Sequence, residues 1–506
     1  MIGMQGSRHL TIPIKPLLLW IGMLCLYLLT SAALLDNPDA RSAYTMTRGL
    51  LLRGELTVPA EDRLDELFEK EGRDGAVYSK YGLVQPIAQI PLFLVAAWLW
   101  PANELVATQA AVALVNSFAT ATALLVLYSL AVALFRSQRI AVALALIYGG
   151  ATMAWLYATL TYSEPLLTLI LILVCRLLLA AEQRPAAAPK LLAAAGLLTG
   201  LAILTKYPAV IYVPALLWFA WAISRGARVA LFAFMAPLAL GVVVLAGYNY
   251  WRYEDILNTG YHIKELTRFP RPAWYGFYTL FFSLGKSIFV YAPPLLAAVF
   301  FLPQFARQHG AFGRLILLLI ASSVIFYAVV RPWSGAWSPG PRYQLPVLPL
   351  ALLALGTLLG RWPSLAAWQQ WGFGASVASG VAVQIPLVAI SYNDTLVLLQ
   401  VITGGVYAWG FWFFDPDYMP LVWQVRILAS ALARAAGGPS LLPSPLPFSV
   451  DRPGQPIDQI ACWFARLPPD SGWLVVAVAL ALSATVCLAA LLRAVAGHDR
   501  GVVPQS

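Results

Sequence analysis

The stretch Leu17–Tyr44, LLLWIGMLCLYLLTSAALLDNPDARSAY, opens as an unbroken apolar run and then turns abruptly polar at Asp36, Asp39 and Arg41. The run approaches the ~20 residues needed to cross a bilayer as a helix. The polar edge after it is where the chain should leave the membrane. Asn37 can cap a following helix and Pro38 suits its first position. Ala40, Ala43, Tyr44, Thr47 and Leu51 then recur on one side, as in a helix lying on a membrane surface.

Runs of the same kind recur down the chain. Spans are predicted near 17–35, 140–158, 163–181, 190–205, 208–223, 229–250, 286–303, 315–330, 345–360, 371–390 and 473–492. The stretch 83–135 is read as an embedded or interfacial helix, 83–100, followed by one spanning helix, 106–134. Of 506 residues 60% are hydrophobic and 11% charged, and the mean hydropathy is +0.73. Soluble domains are about a quarter charged. The fold class is therefore an all-α polytopic membrane protein with about twelve transmembrane helices.

The net charge of +10 does not point to nucleic acid. Its Lys and Arg residues are spread over short turns, with no basic stripe among aromatics. Basic turns at 135–139, 181–190, 224–228, 306–314 and 360–364 mark cytoplasmic loops by the positive-inside rule. Both termini are then cytoplasmic, and the N-terminal run is an uncleaved signal-anchor in the inner (plasma) membrane. Three of the four cysteines fall in predicted spans and Cys462 stands alone, so no disulfide framework or metal cluster follows.

Four external segments remain: 36–82, 249–285, 331–344 and 391–472. In the first, EDRLDELFEKEGR (61–73) is predicted to form a second juxtamembrane helix, with Leu64, Leu67 and Phe68 on its apolar side. The chain divides into a transmembrane module carrying the external loop 36–82 (1–390), an external segment (391–472), and a last span with a cytoplasmic tail (473–506). The part 437–456, rich in Pro, Gly and Ser, reads as loop.

The chemistry-bearing residues gather in the same external segments. Asp39 falls on the second position of the surface helix, where the dipole favours its anion. Asp36 precedes it at the end of the span, and Arg41 follows. In AVYSKYGLVQP (76–86), Lys80 stands between Tyr78 and Tyr81 at the entry to an apolar helix. In FFSLGKSIFVYAPP (281–294), Lys286 interrupts apolar sequence, and a mid-membrane lysine costs roughly 2.5–3.5 kcal/mol. RPWSGAWSPGPRYQLP (331–346) is rigid and aromatic, with Trp337, Arg342 and Tyr343. Glu164 opens a helix in TYSEPL, and Lys206 lies at a turn in GLAILTKYPA. The polar loop 249–266 brings Tyr261 and His262.

Carboxylates facing several cations at one membrane face suit a phosphate-bearing lipid donor. Cations neutralise the leaving phosphate, and a carboxylate takes the proton of an incoming hydroxyl. No glycine-rich nucleotide loop occurs. Any divalent metal would need carboxylate ligands, and the sequence does not decide whether one is used.

The order of these motifs resembles the bacterial GT-C membrane glycosyltransferases, the broad group of polyprenyl-phosphate-sugar-dependent protein mannosyltransferases and aminoarabinose transferases (glycosyltransferase family 39-like). The matching residues are Asn37, Asp39 and Arg41, Tyr78 to Gly82, and Ser163 to Pro165. Asn249 to Tyr253 with Thr259 to Tyr261, Gly285 to Pro293, and Gly340 to Pro346 complete the set. The resemblance covers roughly 30–350 and leaves 391–472 without a counterpart. It implies a GT-C-like bundle with juxtamembrane helices in the first external loop.

It also implies inverting transfer from a polyprenyl-phosphate sugar to a hydroxyl of a lipid, glycan or protein. Asp39, with Asp36 beside it, would be the base, and Lys80, Lys286 and Arg342 would hold the donor phosphate. Arg41, Tyr78, Tyr81, Glu164, Lys206, Tyr261, His262, Trp337 and Tyr343 would line the cleft. The reading from another class is a transporter or flippase of lipid-linked sugars. Against it stand the lack of an internal repeat and the gathering of charge at one face.

Overall fold

The protein is described by a computed structural model covering residues 14–64, 68–224, 228–261, 272–330, 335, 337–403, 409–442, 460–466 and 472–496. Helices dominate it, and the expected spans are found in their expected order. Among the described residues eight helices are long and apolar enough to cross a membrane, and shorter apolar helices such as Ile14–Thr30 and Tyr207–Ile223 accompany them. The chain is a multi-pass, all-α membrane protein.

Some spans are broken. The second consists of Gln138–Gly150 and Ala154–Thr159, joined by a tight bend. The span at 345–360 is likewise split into Leu348–Leu352 and Leu355–Gly360. The segment 286–303 does not start as a helix at Lys286. A turn at 283–287 and the short helix Ile288–Tyr291 come first, and the long helix is Pro294–Gln308. Pro293 and Pro294 explain the delay, because a proline disfavours helix in the residue before it.

One core runs through the bundle, from Leu19 and Tyr27 through Leu124, Leu171 and Phe219 to Leu295 and Leu350. Small residues let backbones touch within it. The Cα of Gly241 lies 3.1 Å from where a Cβ on Gly200 would stand, so Ala188–Thr205 packs directly on Arg228–Tyr253. The basic turns collect at one end of the bundle. There Phe135 meets the edge of His309 at 5.3 Å and Thr357 donates to Gln308 at 2.9 Å. The candidate site lies at the other end.

That end is built mainly by the first loop. Asn37 caps Pro38–Leu52 by accepting from the Ala40 N–H at 2.9 Å, and Pro38 occupies the first turn, as the sequence predicts. The embedded pair Val84–Leu99 and Glu104–Ala113 packs beneath this helix. Tyr44 shares a hydrogen bond with Thr108 at 2.8 Å, and Thr47 donates to Gln89 at 2.7 Å. Trp98 and Val106 on this pair stay exposed, as expected of a helix bedded in lipid.

The second juxtamembrane helix does not form. Residues 61–73 instead give a short turn, Ala60–Asp62, and the strand Glu69–Glu71. That strand pairs antiparallel with Val77–Ser79, Glu69 opposite Ser79. The charged pattern alone favoured helix, but Gly72 and Gly75 (φ +72°) allow a tight reversal. Val77 and Tyr78 prefer the extended partner strand it creates. Leu64 keeps no helical role, Leu67 lies outside the described residues, and Phe68 now precedes the strand.

The segment after 390 is packed on this end too. Tyr392–Ile402 and Pro420–Ala435 enclose a separate apolar cluster of Leu396, Leu399, Trp412, Phe413, Trp423 and Ile427. Asn393 donates to the Asp36 carbonyl at 2.6 Å, and Gly285 N–H donates to the Phe413 carbonyl at 3.0 Å. A Cβ on Gly285 would come 2.0 Å from the Trp412 carbonyl oxygen, so glycine is required for this approach.

Candidate active site

Asp39 stands in the first turn of Pro38–Leu52. One carboxylate oxygen accepts from the Tyr81 hydroxyl at 2.6 Å, and the other from Arg342 Nη1 at 3.2 Å. Arg342 also reaches Glu164 with its Nε, 3.4 Å from Oε1. The same Glu164 oxygen accepts from Lys206. Four charged side chains from four helix ends thus alternate in sign across the site. The Glu164 and Arg342 side chains are 1% and 10% exposed, so their attractions act in a lowered dielectric.

Aromatic rings frame this network. Arg342 lies 4.5 Å over the Tyr162 ring, and Lys206 lies 4.5 Å over Tyr343. Tyr343 stacks on Tyr327 at 4.7 Å and accepts from Arg342 Nη2 at 3.3 Å. Burial, with the Asp39 charge next in weight, pushes the Tyr81 phenol well above its usual range. Burial does the same to Tyr261, with Tyr343 and Asp39 adding to it. Tyr81 therefore remains an O–H donor to Asp39 at any ordinary pH.

Lys80 and Tyr81 leave the hairpin at its end. Ser79 accepts from the Ser42 hydroxyl at 2.6 Å, which ties the hairpin to the Asp39 helix. Gly82 then passes so close to the next turn that a Cβ there would lie 2.1 Å from the Leu204 carbonyl oxygen. This contact sets Tyr81 against Lys206. Lys80 is buried, with Nζ 4.9 Å from the Tyr261 ring and 5.6 Å from the Phe68 ring.

Lys286 stands behind Arg342. It donates to the Ser338 carbonyl and, at 3.3 Å, to the Gly340 carbonyl. It holds the backbone immediately before Arg342. Asp36 accepts from the Asn37 side chain at 3.1 Å, and Arg41 is exposed and donates back to the Leu35 carbonyl at 3.2 Å. Tyr78 is buried edge-on against Trp251 and Tyr253. Trp337 meets the edge of Trp412 at 6.4 Å. His262 lies outside the described residues. The structure thus brings Asp39, Tyr81, Glu164, Lys206, Arg342 and Tyr343 together, with Lys80 and Tyr261 adjoining. Asp36, Arg41, Tyr78, Lys286 and Trp337 stand around that group.

Arg252 lies within the Asn249–Tyr253 motif, and the sequence gives it no role. It is fully buried and donates to the Ser79 carbonyl at 2.7 Å, to Asn249 at 2.8 Å and to the Tyr207 hydroxyl at 3.2 Å. Its guanidinium lies 3.8 Å from the Tyr248 ring centre. Its spacing of three from Asn249 was the available signal, since that places both on one helix face.

A cleft opens beside Asp39, lined also by Tyr81, Gln85, Ser163, Lys206 and Tyr261. Asp39 and Glu164 are each engaged by cations of the chain, and among the described residues no three His, Cys, Asp or Glu side chains gather to hold one.

Residues 90–251 match the model of the dolichyl-phosphate-mannose-protein mannosyltransferase family. The matched part includes Glu164 and Lys206 but not Asp39, Lys80, Lys286 or Arg342. This likeness to membrane glycosyltransferases agrees with the motif resemblance. No curated protein matches the sequence. Solved structures similar to this one include ArnT from Cupriavidus metallidurans bound to undecaprenyl phosphate. It is 17% identical, with a TM-score of 0.47, over 95% of this chain and 77% of that one. The archaeal oligosaccharyltransferase AglB from Archaeoglobus fulgidus, in complex with an inhibitory peptide and a dolichol-phosphate, is 10% identical. Its TM-score is 0.47, over 80% of this chain and 59% of that one.

Proposed function

We propose that the protein is an inverting glycosyltransferase. It moves a sugar from a polyprenyl-phosphate donor to an acceptor hydroxyl at the external face of the plasma membrane. The observation that carries this reading is Asp39 held between Tyr81 and Arg342 in the lining of the cleft. A carboxylate can accept about four hydrogen bonds, so Asp39 keeps capacity for an incoming O–H.

In the reaction the acceptor oxygen attacks the anomeric carbon while its proton passes to Asp39. The carbon–oxygen bond to phosphate breaks, and its electron pair leaves with the polyprenyl phosphate. A single displacement inverts the anomeric centre. The phosphate leaves with one more negative charge than it had in the donor. Arg342 and Lys80 are assigned to stabilise that charge, since cations fixed in advance need no reorganisation. Lys286 is assigned to fix the backbone that presents Arg342.

The test is transfer by purified protein reconstituted in liposomes with a panel of undecaprenyl-phosphate sugars. Mass spectrometry of envelope glycans with and without the gene identifies the acceptor. Turnover that inverts the anomeric centre supports the reading. Movement of intact lipid-linked sugar between leaflets without transfer would establish the transport reading instead.

A further inference from the structure

Gln85 opens the embedded helix Val84–Leu99 and is 5% exposed. Neither atom of its side-chain amide has a hydrogen-bond partner among the described residues. Yet the residue lines the same cleft as Asp39, Lys206 and Tyr261. Buried amides are almost always paired, because a dry unpaired donor or acceptor forfeits its hydration. Gln89, one turn on, is paired at its oxygen, which accepts from Thr47 at 2.7 Å, whereas Gln85 is paired at neither atom.

Besides Asp39 and Lys206, the cleft lining is uncharged and includes Ser163 and Thr205. The charged groups of the site are already paired with one another, Lys206 and Arg342 engaging Glu164 and Asp39. An amide both donates and accepts, and so does an alcohol. A phosphate offers only acceptors and would leave the amide oxygen unpaired.

We infer that Gln85 is a specificity-determining residue that hydrogen-bonds an uncharged hydroxyl of the substrate, on the transferred sugar or on the acceptor, while the phosphate is bound elsewhere. This rests on the proposed sugar transfer. A site built to pair a hydroxyl rejects analogues that lack it, since the buried amide is then left unmatched.

The test compares Gln85→Leu with wild-type protein in liposomes. The probes are bare undecaprenyl phosphate, undecaprenyl-phosphate mannose and its deoxy analogues, and the acceptor found in the glycan comparison. Gln85→Leu should raise KM roughly 3- to 10-fold for whichever substrate carries the hydroxyl, and leave affinity for bare undecaprenyl phosphate unchanged. A raised donor KM assigns the hydroxyl to the sugar, and a raised acceptor KM assigns it to the acceptor. The matching deoxy analogue should be no worse for the variant than the natural substrate. Gln85→Glu keeps the shape and one acceptor, and serves if the leucine variant does not fold. Unchanged KM values for both substrates, or equal weakening of bare undecaprenyl phosphate, would overturn the inference. Wild-type protein that transfers no sugar from the panel would overturn the proposed function, and this inference with it.

Discussion

Asp39 and Arg342, 303 positions apart in sequence, meet at 3.2 Å across the end of the bundle. One residue begins a surface helix and the other begins a span. Arg342 also contacts Glu164, so a single guanidinium locks two acidic helix starts to a third segment. The fold places the carboxylate that can take a proton against the cation that can meet a phosphate.

Asp39→Asn removes the base and keeps the shape. The amide oxygen can still accept from Tyr81 or Arg342, so the protein should fold. Loss of a positioned base costs about 10²–10⁴-fold in rate. Single-turnover transfer should fall by that amount while the melting temperature stays close to that of the parent. Normal turnover would end the role of Asp39 as base.

Arg342→Lys tests the geometry of the cation. An ammonium cannot span Asp39 and Glu164 with separate, fixed donors, nor lie flat over Tyr162. Transfer should drop well below wild type although the charge is retained. Arg342→Ala goes further and leaves Asp39 without its cation in a largely buried setting. Removing one partner of such a pair costs about 3–5 kcal/mol, to be read as a lowered melting temperature. A lysine variant with full activity would reduce Arg342 to a simple point charge.

Much of this arrangement could be read in the sequence, for separable reasons. Spans are legible because hydropathy needs no tertiary knowledge, and the Asn37–Pro38–Asp39 helix start is a local signal with a local cause. The hairpin at 69–79 was not legible, because charged residues at helical spacing hid an extended pairing fixed by Gly72 and Gly75. The partnering of Lys286 with the Ser338 and Gly340 carbonyls depends on two loops meeting, which no local pattern encodes. The packing of Asn393 against Asp36 and of Phe413 against Gly285 is missing from the sequence reading for the same reason.

The orientation can be tested with cysteine labelling in a background lacking the native cysteines. Arg73 lies on the hairpin side with the site, and Ser137 lies in a turn at the opposite end. Arg73→Cys should react with an impermeant maleimide from outside intact cells, and Ser137→Cys only after the membrane is opened. The reverse pattern would put the site on the cytoplasmic face and rule out an external donor.

Gly82→Ala is a small change with a large expected effect. The added methyl carbon would stand 2.1 Å from the Leu204 carbonyl oxygen and 2.6 Å from that of Thr205. Backbone cannot yield as a flexible side chain can, so the Lys80–Tyr81 turn must move away from Lys206. Transfer and thermal stability should both fall, whereas Gly374→Ala, with nothing near the added carbon, should be neutral. An active, stable Gly82→Ala protein would mean that the contact between these turns is loose.

Arg252 offers the sharpest separation of position from chemistry. Its guanidinium is fully buried and touches no acidic residue among the described ones, yet it donates to four oxygens, of Ser79, Asn249, Tyr207 and Tyr253. The shortest of these bonds is to the Ser79 carbonyl, one residue before Lys80. Hydrogen bonds from a charged donor are worth roughly 1.5–3 kcal/mol, enough to fix the end of the hairpin. Arg252→Met keeps the length and the contact with Tyr248 but releases that carbonyl. The variant should then present Lys80 poorly. KM for the lipid-linked donor should rise about tenfold, within the range expected from one such bond. Acceptor KM should change much less, because Asp39 is held by Arg342. A merely structural role would instead lower the amount of folded protein and leave both KM values unchanged in what remains. Comparing the variant with Lys80→Met and with the double substitution decides between them. If Arg252 acts through Lys80, the double variant should be no worse for donor KM than Lys80→Met alone.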